Sequence, residues 1–392
     1  MLTAKKIRLK PTPEQEILFW KSAGTARWAY NYFLSENERI YKEYIDNGKT
    51  GVKYISGAEV RKYINNTLKK TTHTWLSEVG SNVMKQAVSD AEKAFKEWLA
   101  GKRGKPHFKS RRKSKISFYV NYERLSRKNG GFHGEKIGFV WTSESLPKLP
   151  EGEKYSNPHI SFDGKYWYLS VGYPVEPNKT ELSGESLGID LGIKSLAVCS
   201  NGKAYKNINK SARMKKLNKR LKREQRKLSR MIENNISGYG EKRKPIFTRP
   251  LKECSNIMRQ IQNIRLINKR ITDIRTNHLH QTTSEIVKTK PSRIVMETLN
   301  VRGMMKNRHL SKAIAEQCFF EFKRQIKYKS EFYGIELVEV PTYYPSSKTC
   351  SRCGVIKKDL KLSDRVYRCE SCGAVIDRDL NASINLANYQ SA

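Results

Sequence analysis

Two Cys-x-x-Cys pairs near the end of the chain constrain its fold more than any other feature of the sequence. The four residues are Cys350, Cys353, Cys369 and Cys372, and a glycine follows each pair. Two such turns can place four thiolates at the corners of a tetrahedron, which is the arrangement typical of a zinc ribbon. We therefore expect one structural Zn²⁺ bound by these cysteines. A site closed by four thiolates has no open coordination position, so its role is in folding and not in catalysis.

Positive charge dominates the composition. Among 392 residues, 76 are Lys or Arg and 38 are Asp or Glu, so the formal net charge is +38. An excess of this size opposes folding through self-repulsion unless an anionic partner neutralises it. The basic residues are spread along the whole chain, which favours extended contact with phosphate backbones. The composition therefore predicts a nucleic-acid partner, and a merely basic surface is the alternative.

The remaining cysteines and the apolar pattern indicate the compartment. Cys199, Cys254 and Cys318 have no paired spacing, and we expect them to be buried structural thiols. Cysteines used in this way are typical of a reducing cytosol and not of a disulfide framework. The sequence has no stretch of about 18 to 20 uninterrupted apolar residues, which a membrane span requires. Its first residues also lack the apolar core of a secretory signal, so we expect a cytoplasmic protein with no membrane partner.

The first hundred residues have a helical pattern after a short strand-like opening. Thr12 is a suitable N-cap and Pro13 suits the first helical position. Apolar residues at three- and four-residue steps predict helices over residues 14–46 and roughly 58–100. We expect this block to form a small helical bundle.

The pattern becomes β-like beyond residue 100. Alternating apolar residues predict a hairpin over 159–173 that turns at Asp163 and Gly164. We expect residues 101–175 to form most of a β-rich domain that also recruits the N-terminal strand. Interleaved Arg, Lys and Tyr side chains suit phosphate contact and base stacking, although an ordinary basic β-barrel surface would look similar.

Strands and long helices follow a linker at residues 174–186. A basic helix is predicted over 211–231, and a second helix over about 252–288 is expected to pair with it as an antiparallel hairpin. The strand SRIVMETL, a helix over 311–333 and the strand IELVEVP come next. The cysteine-rich segment follows, and the chain closes on a helix.

Acidic residues stand at informative places in this second half. Asp190 lies inside the apolar strand LGIDLGI, Glu297 ends the apolar strand RIVMETL, and Asp377 and Asp379 lie where a strand gives way to a helix. Each acid alone is also explained as a helix cap or an ion-pair partner. Together, carboxylates on three separate elements are the ligands of a two-Mg²⁺ site for phosphodiester hydrolysis, with the ions about 4 Å apart. Their order resembles the ribonuclease H-like fold of RuvC-type nucleases.

The chain resembles TnpB, a family of transposon-encoded proteins, in the ordered segments GIDLGIKSLAV, IVMETLN, YYPSSKTCSRCG, YRCESCG and DRDLNASINLA. The segments KIRLKPTPEQ, GTARWAYN and GKPHFKSRRK are also similar, so the resemblance covers nearly the whole chain. It implies an RNA-guided endonuclease that cuts double-stranded DNA next to a short transposon-adjacent motif. The implied partners are a transposon-derived guide RNA and target DNA. The implied setting is a monomer with its RNA in a prokaryotic cytoplasm, active at the nucleoid.

The resemblance also implies a multidomain fold that combines α+β and α/β parts. A wedge β-barrel with an inserted helical recognition bundle precedes a RuvC nuclease domain with an inserted zinc ribbon. The expected bounds are 1–10 and 101–180 for the wedge-like barrel, 11–100 for the recognition domain, 181–346 and 376–392 for the nuclease domain, and 347–375 for the ribbon.

The family's catalytic acids match three positions of this chain. Asp190 and Glu297 match the first two, and DRDLNAS matches the element that carries the third, so Asp379 is the choice there. Asp377 is the alternative third acid. Two departures, Thr298 where many relatives have Asp and a Gly- and Pro-rich insertion near 233–250, remove no catalytic acid. The resemblance therefore implies two catalytic Mg²⁺ ions and an active nuclease.

Two other functions are compatible with parts of the sequence. A transposase that joins DNA strands would also use three carboxylates on a related fold, and its sign would be a helix-turn-helix domain that binds transposon ends. A non-cleaving RNA-guided repressor would need the basic surface alone. The zinc ribbon just before the last acid disfavours the first, and the complete set of acids disfavours the second.

Overall fold

In the computed structural model, the chain separates at residue 175 into two units, Met1–Val175 and Glu176–Ala392. The division falls within the linker expected at 174–186. The structure describes residues 1–111, 114–178, 180–361 and 364–390. Small parts of the expected wedge, ribbon and nuclease segments, at 112–113, 179, 362–363 and 391–392, lie outside these ranges. No helix in the described ranges is long and apolar enough to cross a membrane.

The first unit combines a helical block with a mainly antiparallel sheet. Its helices are α1 (Pro13–Asp46), α2 (Gly57–Tyr63) and α3 (Ser81–Leu99). Its strands are β1 (Leu2–Lys10), β2 (Ile116–Tyr119), β3 (Ser126–Lys128), β4 (Gly131–Gly134), β5 (Gly138–Thr142), β6 (Ser156–Phe162) and β7 (Trp167–Pro174). The strand order is β2-β6-β7-β1-β5-β4-β3, so the N-terminal strand is recruited into the β-rich segment, as the sequence predicts.

The start of α1 follows from its first residues. The Thr12 side chain accepts a hydrogen bond from the backbone N–H of Gln15, and the Gln15 side chain accepts one from the backbone N–H of Thr12. This capping box, with Pro13 at the first helical position, confirms the predicted helix start. The buried face of α1 then packs on the sheet, where the Phe19 ring contacts the ring of Trp167 at 5.2 Å between centroids. Burial of one such ring contributes about 1.5–3 kcal/mol.

The prediction of one helical stretch over residues 58–100 was wrong. The structure has α2, a π-helical segment at Ile64–Leu68, a 3₁₀ segment at Thr74–Glu78, and then α3. The interruption spans a polar run in which the hydroxyl of Thr71 donates to the carbonyl of Thr67. Threonine hydroxyls that bond the nearby backbone compete with regular helix, and Leu68 is the only apolar side chain in residues 65–73.

The hairpin predicted over 159–173 is confirmed by β6 and β7. Gly164 takes a φ of +101°, a region that residues with a side chain rarely adopt. The Asp163 side chain accepts hydrogen bonds from the backbone N–H groups of Lys165 and Tyr166, both at 2.9 Å. This turn chemistry fixes the register of the two strands.

The second unit places helices around a mixed sheet. Its helices are α4 (Ala212–Glu233), α5 (Ser255–Lys288), α6 (Val301–Met304), α7 (Ser311–Gln317), α8 (Phe319–Tyr333) and α9 (Arg378–Ala387). Its strands are β8 (Ser183–Leu191), β9 (Ser195–Cys199), β10 (Ala204–Lys206), β11 (Ile236–Tyr239), β12 (Pro245–Phe247), β13 (Pro291–Glu297), β14 (Glu336–Val340), β15 (Val366–Arg368) and β16 (Val375–Asp377). The basic helix, its partner and both predicted strands after it are confirmed, and the insertion near 233–250 contains the β11–β12 hairpin.

The main sheet of this unit has the order β10-β9-β8-β13-β14. Strands β8, β13 and β14 are parallel, whereas β9 pairs antiparallel with β8 and β10 pairs antiparallel with β9. The carboxyl ends of the three parallel strands therefore meet at one edge of the sheet. Side chains at that edge are brought together although they are far apart in sequence.

The helix predicted over 311–333 is broken at Cys318, which has a φ of +54°. Gln317 and Phe319, on either side of the break, are both buried. In a continuous helix, residues two positions apart point to nearly opposite sides, so both could not face the core. The left-handed residue between α7 and α8 allows both to do so.

The expectation that all three unpaired cysteines are buried was wrong for two of them. Cys199 is buried on β9, whereas Cys254 and Cys318 are partly exposed. Cys254 precedes the first residue of α5, and Cys318 occupies the break between α7 and α8. Positions that begin or interrupt helices lie near the surface, because their backbone polar groups need partners there.

Candidate active site and zinc ribbon

Asp190 and Glu297 lie side by side at the carboxyl edge of the parallel strands. Ile189 of β8 is paired with Met296 of β13, so the next residue of each strand occupies neighbouring positions. The two carboxyl groups are close enough to change each other's pKa: Glu297 raises that of Asp190, and Asp190 lowers that of Glu297. The structure thus brings together the first two acids that the sequence singled out.

The environment of this pair disfavours negative charge. Burial raises the pKa of Asp190 well above its usual range, and the carboxylates of Glu297 and Asp379 raise it further, against the opposing effect of Arg378. Burial also raises the pKa of Glu297, and the side chain of Asp190 partly offsets that rise. Buried acids that repel one another are stabilised in their charged form by a bound cation. The oxygen donors present here suit Mg²⁺.

Close packing of α9 on β8 brings Asp379 to the same edge. Gly188 lies against the backbone of α9, where a Cβ would overlap the carbonyl oxygen of Ser383 and the backbone nitrogen of Ala387. The Ser186 hydroxyl donates to the carbonyl of Ala387 at 2.7 Å. Only glycine permits this approach, which places the first turn of α9 beside the end of β8.

The two candidate third acids have different surroundings. The Asp377 side chain is the N-cap of α9 and accepts hydrogen bonds from the backbone N–H groups of Asp379 and Leu380, at 3.0 and 3.2 Å. Asp379 lies in the first turn and raises the pKa of Asp190 more than Asp377 does. Asp377 therefore holds the helix start, and Asp379 has the stronger electrostatic effect on Asp190.

A glutamine that sequence reasoning missed holds the turn after Asp190. The Gln317 side chain, 3% exposed, donates to the carbonyl of Gly192 at 2.7 Å. Asn207 donates to the carbonyl of the next residue, Ile193, at 2.8 Å. These buried amides keep the β8–β9 turn in place beside Asp190. The sequence signal that could have identified Gln317 is a polar amide side chain at a position that helical periodicity assigns to the core.

The four predicted zinc ligands converge. Their sulfur atoms all lie within 4.8 Å of one another, with Cys350 and Cys372 at 3.6 Å and Cys353 and Cys369 at 3.5 Å. A tetrahedral Zn²⁺ with bonds of about 2.3 Å needs sulfur atoms about 3.8 Å apart, so the cluster fits this ion. The glycine after each pair has a positive φ, +77° at 354 and +69° at 373, which explains its presence.

Two asparagines that the sequence reasoning also missed tie this zinc ribbon to α9. The Asn381 side chain accepts from the backbone N–H of Ser351 at 2.9 Å and donates to the carbonyl of Thr349 at 2.7 Å. One turn later, Asn385 donates to the carbonyl of Ser346 at 2.7 Å. Both asparagines are buried. Because Asn381 is two residues from Asp379, the ribbon and the third acid are held by one helix.

The basic helix α4 carries an open groove of about 440 Å³. Six cationic side chains line it: Lys216, Lys219, Arg220, Lys222, Arg223 and Arg226. The side chain of Glu224 in α4 accepts a hydrogen bond from the buried Gln260 of α5 at 2.9 Å. The opposite face packs on α5 through Met214, Ile267 and Ile271. One face of α4 is thus packed against α5, and its opposite face exposes the cationic side chains to solvent.

Three protein-family models match parts of the chain. A model described as the TNB domain of Cas12f1-like proteins matches residues 319–386, and one described as a probable transposase, OrfB of IS605, matches residues 169–308. The third, described as a helix-turn-helix domain, matches residues 1–46. In the structure this last range is strand β1 followed by the single 34-residue helix α1. This fully described range therefore has no turn between two helices.

Several curated proteins are similar along nearly the whole chain. A candidate RNA-guided DNA endonuclease of Streptomyces pristinaespiralis is 30% identical over 391 residues, which cover 98% of this chain and 88% of that protein. InsQ of Escherichia coli strain K12, also by name a candidate RNA-guided DNA endonuclease, is 27% identical over 406 residues, which cover 98% and 91%. Proteins of Acanthamoeba polyphaga mimivirus that are 24% identical carry the name TnpB-like.

A solved structure is similar in fold. Cas12f1 in complex with sgRNA and target DNA matches with a TM-score of 0.53 and 17% identity, over 99% of each chain. At 17% sequence identity, the match shows a similar fold and nothing about function. The mixed helical and sheet architecture of this chain is therefore similar in fold to that of Cas12f1.

Proposed function

Since the chain belongs to the TnpB family, we propose that it is an RNA-guided endonuclease that hydrolyses phosphodiester bonds in double-stranded DNA. The observation that carries this proposal is that Asp190 and Glu297 occupy neighbouring positions at the ends of paired strands, in a chain whose net charge is +38. The carboxylate of Asp379 also raises the pKa of Asp190. A protein that only bound nucleic acid would have no use for this set, because carboxylates repel phosphates unless cations intervene.

The three acids would hold two Mg²⁺ ions. When bound, these ions supply Lewis-acid stabilisation of the charge that develops at the phosphoryl group. Because burial raises the pKa of both Asp190 and Glu297, protons compete with the ions for these carboxylates, and ion loading is stronger at higher pH. Gln317 keeps the β8–β9 turn in place, and Asn381 fixes the helix of Asp379. Hydrolysis of a phosphodiester then depends mainly on the positioning of the cleaved strand.

The zinc ribbon has a structural role in this account. The four cysteines would bind one Zn²⁺, and the fit of their sulfur spacing to tetrahedral geometry supports this. The ribbon, at 347–375, carries no acid of the proposed catalytic set. Its contribution is to hold α9 through Asn381 and Asn385, and with it Asp379.

A guide RNA and its DNA target are the proposed partners of a monomeric chain in a prokaryotic cytoplasm. The cationic groove of α4 suits the phosphate backbone of a guide–target heteroduplex. The wedge-like segments 1–10 and 101–180 and the helical domain 11–100 would read a short transposon-adjacent motif. Base pairing with the guide would recognise the remainder of the target. In RNA-guided nucleases generally, the protein recognises a short motif and the guide RNA recognises the rest of the sequence. The segments 181–346 and 376–392 would form the RuvC nuclease domain.

The transposase alternative has less support. A DNA-joining enzyme of that kind would need a domain that recognises transposon ends, and the range matched by the helix-turn-helix model is one strand and one helix. The non-cleaving repressor is disfavoured because this chain carries an acid at all three positions expected of the nuclease, Asp190, Glu297 and Asp379.

Sequencing of the copurifying RNA tests the proposal. The chain is expressed together with its native downstream flank, purified, and its RNA is sequenced. We expect one structured species that ends in a short segment from beyond the transposon end. A heterogeneous mixture of cellular RNA would contradict guided binding and favour an unguided nuclease or a transposase.

A further inference from the structure

Tyr343 is the most exposed large aromatic side chain among the described residues of the second unit. It is 95% exposed, although its neighbour Tyr344 is half-buried. A single exposed aromatic residue on a surface needs no functional explanation by itself. The position of Tyr343 in the fold is what distinguishes it.

Tyr343 lies at the same sheet edge as the acids. It follows β14 by three residues, and the last residue of β14, Val340, is paired with Glu297. The backbone N–H of Thr298 donates to the carbonyl of Val340 at 3.0 Å, which extends this pairing by one residue. Three residues span at most about 11 Å, so Tyr343 is within a few nucleotide steps of Glu297.

The backbone on both sides of Tyr343 is anchored. The N–H of Tyr344 donates to the carbonyl of Pro341 at 3.0 Å, which places Tyr343 in a tight turn. The Tyr344 ring packs edge-on against Tyr389 with centroids 5.1 Å apart, and its hydroxyl donates to the carbonyl of Asn385. Tyr343 is therefore presented to solvent by a held turn and not by a loose loop.

We propose that Tyr343 stacks on an unpaired base of the DNA strand that is being cleaved. The inference rests on the proposed function and adds a residue that holds the substrate beside the acids. A phosphate backbone approaching three carboxylates is repelled except where cations intervene. An uncharged ring that binds the base adds attachment without altering the charge balance at the acids. Stacking also tolerates every base, which a guided nuclease requires, because its protein part must not select the sequence that it cuts.

The test uses the full chain with its guide RNA and a matched DNA target. Single-turnover cleavage rates and target binding without divalent cations are measured for Tyr343→Ala, Tyr343→Phe and Tyr343→Trp. We expect Tyr343→Ala to lower the rate about 5- to 150-fold, the range that loss of one stacked base corresponds to. Both aromatic variants should retain cleavage within about threefold. Binding in the absence of cations should be unchanged, because the guide duplex supplies most of the contact.

A matched control is Tyr239→Ala. Tyr239 is 64% exposed on β11, outside the sheet that carries the acids, and its loss should leave the rate unchanged. Abasic positions are then introduced one at a time along the cleaved strand. One such position should slow the wild-type protein as much as Tyr343→Ala does, and should slow that variant no further.

The outcomes are distinct. A wild-type protein that binds a guide but cuts no matched target would remove the proposed function, and this inference with it. A wild-type protein that cuts, together with Tyr343→Ala at the wild-type rate, would overturn the stacking inference alone. The inference would also be overturned if, at every abasic position, the fold-reduction in cleavage rate were the same in Tyr343→Ala as in the wild-type protein.

Discussion

Gly188 of β8 lies directly against the carbonyl oxygen of Ser383 in α9, with no room for a Cβ between them. This contact determines how closely the helix that carries Asp379 approaches the strand that carries Asp190. The arrangement of the acids therefore depends on a backbone-to-backbone contact two residues before Asp190. The other close neighbours of Gly188, at Leu386 and Ala387, belong to the same helix.

Gly188→Ala is expected to abolish cleavage by displacing α9. The added methyl would meet backbone atoms, which cannot move aside as a flexible side chain can, and overpacking of this kind costs about 1–3 kcal/mol. We expect a lower melting temperature and at least a hundredfold loss of cleavage, with guide-RNA binding retained. Gly184→Ala is the control, because that glycine lies on the same strand with nothing within 4 Å of its Cβ position. Equal behaviour of the two variants would contradict the packing account.

Asp190→Asn is expected to stabilise the metal-free protein while abolishing cleavage. Burial raises the pKa of Asp190 in the folded state above its value in the unfolded chain. The folded state therefore holds this proton more tightly, and that stability is present at low pH and is lost as pH rises through the folded-state pKa. At neutral pH without divalent cations, the neutral amide removes this penalty, so the melting temperature of Asp190→Asn should exceed that of the wild type.

Thermal unfolding with a chelator, followed across pH, checks this expectation. The difference between Asp190→Asn and the wild type should shrink toward acidic pH, and Mg²⁺ should stabilise the wild type more than the variant. Glu336→Gln, which removes an exposed carboxylate of the same sheet, should change neither property. A melting temperature for Asp190→Asn below that of the wild type at neutral pH would contradict the electrostatic account.

Cys350→Ser is expected to release zinc and to lower cleavage without loss of guide RNA. A site of four thiolates that loses one ligand holds its ion poorly, and the fold of the ribbon depends on that ion. Zinc content, measured by elemental analysis, should fall from about one ion per chain. Cys254→Ser is the control, since Cys254 is a partly exposed thiol outside the cluster. Normal cleavage by zinc-free Cys350→Ser would show that the ribbon does not support the active site.

Asn381→Ala separates zinc binding from the hold of the ribbon on α9. The variant loses the hydrogen bonds to Ser351 and Thr349 but keeps all four cysteines. Loss of a buried amide whose partners then lack hydrogen bonds costs about 1–3 kcal/mol. We expect full zinc content with a reduced cleavage rate that higher Mg²⁺ concentration partly restores. A cleavage rate equal to that of the wild type would mean that α9 does not need the ribbon.

Arg220→Glu combined with Arg223→Glu is expected to weaken nucleic-acid binding and flatten its salt dependence. Each phosphate contact contributes about 0.9 to the slope of log affinity against log salt, so the loss of two should reduce the slope by about 2. The paired Lys substitutions keep both charges and should keep the slope. An unchanged slope for the Glu variant would show that this part of α4 does not contact phosphates.

Much of this architecture could be predicted because it depends on local patterns. The apolar strands that carry Asp190 and Glu297, the capping box at Thr12 and the turn at Gly164 each follow from a few consecutive residues. The zinc ligands followed from spacing. Such features persist in the fold because neighbouring residues determine them.

The features that sequence reasoning missed depend on contacts between distant segments. The break at Cys318 allows Gln317 to contact the β8–β9 turn while Phe319 packs in the core. Asn381 connects α9 to the ribbon, and this role depends on the packing of the ribbon against α9, which the sequence does not reveal. Local periodicity carries no information about these partners.

The most direct test of the central claim is guide-dependent cleavage of a plasmid. The purified chain with its guide RNA is incubated with Mg²⁺ and either a matched target beside the transposon-adjacent motif or the same target with a scrambled sequence. Linear product from the matched plasmid alone, lost with Asp190→Asn, Glu297→Gln or Asp379→Asn while target binding persists, is the predicted result. Cleavage that ignores the guide sequence, or that survives these substitutions, would contradict it.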